Sequence, residues 1–234
     1  MQLFGLAFII AVVAFGFLHN PATSIGYFDP QALLIILFGS VGATLLGSKP
    51  RDFLRTFVAL REFIPFVGRF GEQTSAMEDE RHQLEELWIQ GRRAEAVALA
   101  ERSNLPTTRE ILQQVAGRVS EAHTENRFTA LTHLAVDQFE ASINNWEMMA
   151  KLGPSFGMVG TITGMVKLFK TFSAGHADLG SSMSLALLAT LYGITFGAGV
   201  AGPVSNYLSK LMYERINVIS RCEKTTRQLV HMRD

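Results

Sequence analysis

The side chains of this sequence that could do chemistry are defined as much by where they are missing as by where they stand. None of the 21 acidic residues falls inside the four strongly apolar stretches, residues 3–18, 31–47, 152–172 and 183–208. Asp29 lies just before the second stretch and Asp178 just after the third. Cys222 is the only cysteine, so no disulfide framework is expected, and no Cys/His cluster marks a zinc site. No catalytic residue, metal or cofactor is assigned. The third and fourth stretches carry hydroxyls, prolines and small residues instead. By helical spacing Pro154, Met158, Thr161 and Met165 share one face, and Thr190, Gly193 and Gly197 share another. A threonine hydroxyl offers an oxygen to a partly dehydrated cation or to a proton-relaying water. A proline frees a carbonyl, which membranes tolerate where it lines a hydrated cavity or finds a partner. Two such helices without a carboxylate look like half of an ion path, with the missing half on another chain. The plainer reading has each threonine bonded back to the preceding turn. In the same way Gly160-x-x-x-Gly164 and Gly193-x-x-x-Gly197, with Gly157, say by themselves only that helices pack closely.

The elements that position these residues follow from charge segregation. Mean hydropathy is +0.19 with 18% charged residues, and most of the charge lies between Lys49 and Lys151. The balance of 21 basic against 21 acidic residues argues against nucleic acid as a partner. About 20 apolar residues cross a hydrocarbon core of ~30 Å, so the last two stretches are comfortable spans and the first two are short. Residues 1–18 contain no Lys or Arg, which favours a retained helix over a signal peptide. Lys49, Arg51, Arg55 and Arg61 follow the second span, and Lys210, Arg215, Arg221, Lys224 and Arg227 follow the fourth, whereas 19–30 and 174–182 have no Lys or Arg. Positive charge marks the cytoplasmic side, so both termini and the insert face the cytoplasm. The expected fold is an all-α, four-span membrane protein. Residues 1–48 would hold the first two spans, 49–150 a helical cytoplasmic insert, 151–208 the third and fourth spans, and 209–234 a cytoplasmic tail. Lys167 and Lys170 fall toward the outer boundary, where they either snorkel to lipid headgroups or form a cationic ring at an outer vestibule.

Within the insert, Phe53, Phe57, Leu60 and Ile64 recur at helical spacing beside Arg55, Arg61 and Glu62. They read as an amphipathic helix against the inner leaflet. Two short helices are expected over 78–102, broken at Gly91. Thr107, three residues before Glu110, reads as a capping box that opens a new helix. That helix is expected to run unbroken into the third span as a rod of roughly 65 residues and roughly 100 Å.

The sequence 153–161, Gly-Pro-Ser-Phe-Gly-Met-Val-Gly-Thr, followed by Thr163-Gly164-Met165-Val166, resembles the third span of the MotA/TolQ/ExbB family. Ala186-Leu187-Leu188-Ala189-Thr190-Leu191-Tyr192-Gly193 is similar to its fourth span, and Gly202-Pro203 to the glycine-proline that follows. The Asp29-Pro30 start of the second span and the four-span count resemble flagellar stator subunits of the MotA and PomA type. In the insert the resemblance is only general. It implies five copies of the chain in the bacterial inner membrane around two copies of a MotB/PomB-like single-span partner, whose span supplies the ion-binding aspartate. Carried over by motif, Pro154, Thr161 and Thr190 would face the ion pathway or the partner. Pro203 would couple ion passage to the cytoplasmic helices, and the insert would push on a FliG-like rotor protein. Besides lipid, no other partner is implied.

Two departures from the stator pattern stand out. The arginine and glutamate that press on the rotor fall here near Trp88 and Ala96, leaving Arg81, Glu85, Glu86, Arg92, Arg93 and Glu95 as candidate rotor contacts. The paired threonines of sodium-type fourth spans are here Ala189-Thr190. Thr161 points to sodium and Ala189 away from it, so the transported ion stays open between proton and sodium. The alternatives are an ExbB/TolQ-type energiser of an envelope process and a non-conducting membrane scaffold.

Overall fold

The computed structural model describes residues 29–63, 70–117, 121–173 and 179–233, and every regular element among them is helical. The expected first span, the two outward loops and Ile64 lie largely or wholly outside these residues. The helices are α1 (Pro30–Gly47), α2 (Pro50–Val58), α3 (Phe70–Ile89), α4 (Arg93–Arg102), α5 (Pro106–Ala116), α6 (Glu121–Ser173), α7 (Leu179–Ile194) and α8 (Gly202–Arg233). A 3₁₀ turn over Ala59–Phe63 follows α2, and a π-helical segment over Thr195–Ala201 joins α7 to α8. Among the described residues two helical runs are long and apolar enough to cross a membrane, Pro30–Gly47 and Ser182–Met232. The third expected span forms the C-terminal part of α6 and is not one of them.

The chain divides into two compact units. The first comprises residues 1–60 and 141–207, and the second 61–140 and 208–234. In the first, Asp29 caps α1: its carboxylate accepts from the amides of Gln31 at 2.8 Å and Ala32 at 3.2 Å, with Pro30 pre-set for the first turn. Along α1, Ala32 and Ile36 bury against Leu185, Leu188 and Ala189 of α7, with Tyr192 and Phe196 beside them. At the end of α1 a polar cluster forms that periodicity does not reveal. The Ser48 hydroxyl donates to the Asn145 side-chain oxygen at 2.5 Å, and the Asn145 amide donates to the Thr56 hydroxyl at 2.8 Å. The Trp146 indole donates to the Thr56 carbonyl at 3.2 Å. Thr56 is therefore the fully buried position of α2, while Leu54 and Val58 are exposed.

The second unit is built on Met77, Leu84, Ile111, Val115, Phe128, Val218, Ile219 and Leu229, with Cys222 completely buried among them. The break at Gly91 forms as expected. Gly91 has φ +74°, and Arg92 N–H bonds the Leu87 carbonyl while Gly91 N–H bonds that of Trp88. This closure needs a left-handed residue, which glycine adopts without a Cβ clash.

Two local expectations are corrected. The capping box does not form. The N-cap of α5 is Leu105 with no side-chain cap, the Thr107 hydroxyl has no hydrogen-bond partner, and Glu110 turns to Arg127 at 2.9 Å and to Gln114 at 2.7 Å. A buried carboxylate gains more from a guanidinium than from one amide, so the tertiary partner wins. The long rod is also interrupted. Gly117 ends α5 in an extended conformation, and α6 starts afresh at Glu121, giving 53 residues rather than an unbroken run from Thr108.

Candidate ion-path site

The site lies in the first unit, where α6 and α7 pack on their small residues. A methyl group added at Gly157 would stand 3.0 Å from the Ala189 carbonyl, and one at Gly164 would stand 3.0 Å from the Ser182 carbonyl. At Gly160 it would overlap the Ala189 side chain. From the other side, a methyl at Gly193 would meet the Gly153 carbonyl at 2.6 Å, and one at Gly197 the Ala150 carbonyl at 2.6 Å. Gly193 and Gly197 thus face Ala150, Gly153, Pro154 and Gly157, while Gly160 and Gly164 face Ala189, Ala186 and Ser182, so the two motifs line one seam at successive levels with backbone close to backbone.

That close approach brings the two threonines together. The Thr161 and Thr190 hydroxyl oxygens are 2.5 Å apart, and Thr161 Oγ1 also lies 3.1 Å from both the Gly157 and Ala186 carbonyls. Thr190 Oγ1 reaches the Ala186 carbonyl at 3.5 Å. Back-bonding and a cross-helix bond therefore coexist. Both threonines are half-buried, whereas Met158 and Met165 of the expected shared face are exposed. The α6 residues in the seam are Gly153, Pro154, Gly157, Gly160, Thr161 and Gly164.

The prolines each leave a mark. Pro154 sits inside α6 and has no N–H for the Ala150 carbonyl four residues back. That carbonyl and the Pro154 ring both abut Gly197, where no side chain could be seated. Pro203 is exposed in the first turn of α8. Just before it the ladder widens over Thr195–Ala201, and Gly202 N–H bonds the Gly197 carbonyl five residues back. A proline that cannot donate to its i−4 carbonyl explains the shift to wider bonds, and π-helical segments of this kind recur at functional sites. Sequence patterning contains no sign of this segment beyond Pro203 and its run of glycines.

The candidate rotor contacts are split. Arg81 is buried, pairing with Glu78 at 3.0 Å and Glu85 at 2.9 Å and donating to the Thr225 hydroxyl at 2.8 Å. It is an internal strut and offers no free surface. Arg92 and Glu95 pair with each other at the exposed start of α4, which raises the Arg92 pKa. Arg93 stacks over Trp88, 5.3 Å from the ring centroid, and Glu86 is exposed.

Residues 152–173 of α6 and all of α7 carry no acidic side chain, small residues close the seam between them, and two hydroxyls are hydrogen-bonded across it. The chain belongs to the MotA/TolQ/ExbB proton channel family, whose pattern matches residues 99–221, more than half of its length. Membership places it among ion-channel subunits rather than enzymes. It is 35% identical over 89 residues to "Motility protein A" of Aquifex aeolicus, covering 36% of this chain and 35% of that one. It is 36% identical over 92 residues to "Motility protein A" of Borreliella burgdorferi, covering 38% and 35%. The alignments thus span about a third of the length of these curated relatives. The fold matches "Structure of C. jejuni MotAB" with a TM-score of 0.80 and 14% identity over 98% of this chain and 89% of that one. It also matches the flagellar MotAB stator complex from Bacillus subtilis, with a TM-score of 0.75 and 17% identity over 97% and 88%.

Proposed function

We propose that this chain is the ion-conducting subunit of a flagellar-type rotary stator, working with a MotB/PomB-like single-span partner in the bacterial inner membrane. The observation that carries this reading is the Thr161–Thr190 hydroxyl pair, set in spans that contain no acidic residue. Such a pair leaves oxygen lone pairs for a cation or a water, yet has no anion to hold a proton or to replace a lost hydration shell. A carboxylate must come from elsewhere, and the relatives named as motility proteins and as a MotAB complex support a partner's span as its source. Pro154, Thr161 and Thr190 face that span, and Pro203 with the π segment passes the change on to α8. Five copies surround the partner, with both termini cytoplasmic. Glu85, Glu86, Arg92, Arg93 and Glu95 are the side chains left to meet a FliG-like rotor. The transported ion is a proton or sodium. Flux against external sodium at fixed pH separates them, because a sodium-driven path stops when sodium is withdrawn.

The deciding experiment reconstitutes the chain in liposomes with and without its partner. Selective flux is expected only in the complex and falls when Thr161 or Thr190 becomes valine. Substantial flux from the chain alone would end the two-chain mechanism. A short ExbD-like partner in place of the MotB/PomB-like one would favour an envelope energiser, and no flux in any combination a scaffold.

A further inference from the structure

We propose that the second unit holds a binding site for a short-chain monocarboxylate, in the cavity between α3, α5, α6 and α8 that Thr107, Gln138 and Arg215 help to line. The cavity has a volume of about 90 Å³, and its remaining wall is apolar, formed chiefly by Met77, Leu131 and Ile219. That is room for about three waters, enough for a carboxylate of two to four carbons and too little for a nucleotide. Its polar groups lack what they need. Thr107 is 2% exposed and its hydroxyl has no hydrogen-bond partner, in the first turn of an α5 that has no side-chain cap. Arg215 is half-buried and stacks on Phe70 at 4.4 Å from the ring centroid. Among the described residues its one hydrogen bond is to the neutral Gln73 amide oxygen at 3.3 Å, and no carboxylate there pairs with it. Burial depresses its pKa, the mark of a cation short of a counter-charge. The nearby Glu80 is taken up by the Ser103 and Thr108 hydroxyls, each at 2.5 Å, and does not line the cavity.

The occupant that fits has one anionic end and one greasy end. The carboxylate would face the Arg215 guanidinium, the Thr107 hydroxyl and the first-turn amides of α5, where a helix N-terminus favours anions. Its alkyl chain would lie on Met77, Leu131 and Ile219. Phosphate would set oxygens against that apolar wall and leave them unpaired.

The test titrates the purified full chain in detergent with acetate, propionate, butyrate, phosphate and chloride at constant ionic strength, followed by ligand-observed NMR and thermal unfolding. Saturable binding is expected to strengthen from acetate to butyrate. It should weaken roughly tenfold in Arg215→Met and in Thr107→Val, since a charge-assisted hydrogen bond is at stake in each. Leu134, exposed at the cavity mouth, supplies a variant that leaves the core untouched, and Leu134→Trp should block binding in a chain that unfolds like the parent. Absence of saturable butyrate binding, binding that survives Arg215→Met and Leu134→Trp, or a preference for phosphate would each overturn the assignment.

Discussion

Thr161 Oγ1 and Thr190 Oγ1 stand 2.5 Å apart above the shared Ala186 carbonyl, so the two hydroxyls form one hydrogen-bonded unit across α6 and α7. Two protons serve this pair, so whichever hydroxyl donates to its neighbour leaves the other to a backbone carbonyl. Reversing that order moves a proton's position without moving a heavy atom. The pair is thus both a clamp between helices and a polar surface for an ion.

Valine at either position keeps the shape and removes one oxygen. Each single variant should lose about 1 kcal/mol of stability from the lost bond and still assemble. Ion flux in the complex should fall in both. Parental flux in both variants would reduce the pair to packing.

The glycines should rank by what a methyl would meet. Gly193→Ala and Gly197→Ala press on backbone carbonyls at 2.6 Å, so they should destabilise more than Gly157→Ala, whose contact is at 3.0 Å. Gly42 has open space around it in α1, and Gly42→Ala should be neutral or stabilising by up to about 1 kcal/mol. Thermal unfolding of the four variants side by side checks the order.

Arg81 and the α4 charges should separate by mechanism. Arg81→Met leaves Glu78 and Glu85 without their shared cation and should cost about 3 kcal/mol. Arg93→Ala and Glu95→Ala touch exposed side chains and should leave the unfolding midpoint within a degree or two, so any motility defect there reports a contact rather than a fold.

Glu110 gives the second unit a defined acid limit. Burial alone would raise its pKa, but the hydrogen bonds and charge of Arg127, with Gln114, hold it below the ordinary glutamate value. A depressed folded pKa contributes stability that is present above the unfolded value and lost as pH falls through the folded one. Glu110→Gln should therefore flatten the stability profile below about pH 4.3, the ordinary value, measured by denaturation across that range.

Cys222 should be silent in the native state. It is fully buried, and desolvation pushes its thiol up to about 12. Alkylation at neutral pH should be at least roughly a hundredfold slower than for a free thiol and should track unfolding.

Composition and spacing alone determined much of this protein. The helical class, the break at Gly91, the small residues of the seam and the lack of acidic residues in the spans were all legible, because each depends on local periodicity or on residue type. Which side chains meet was not. Thr161 and Thr190 are 29 positions apart, and only the packing of α6 on α7 turns two back-bonding candidates into a pair. Glu110 left its expected cap for Arg127, 17 positions on, and Arg81 left the surface for Thr225, 144 positions on. The Ser48–Asn145–Thr56 cluster left no pattern, since single polar residues at the edge of a span look the same whether solvated or buried. Periodicity states which face of a helix is apolar, but the partner that covers that face is chosen by tertiary packing, where a charged or hydroxyl group takes the strongest bond within reach.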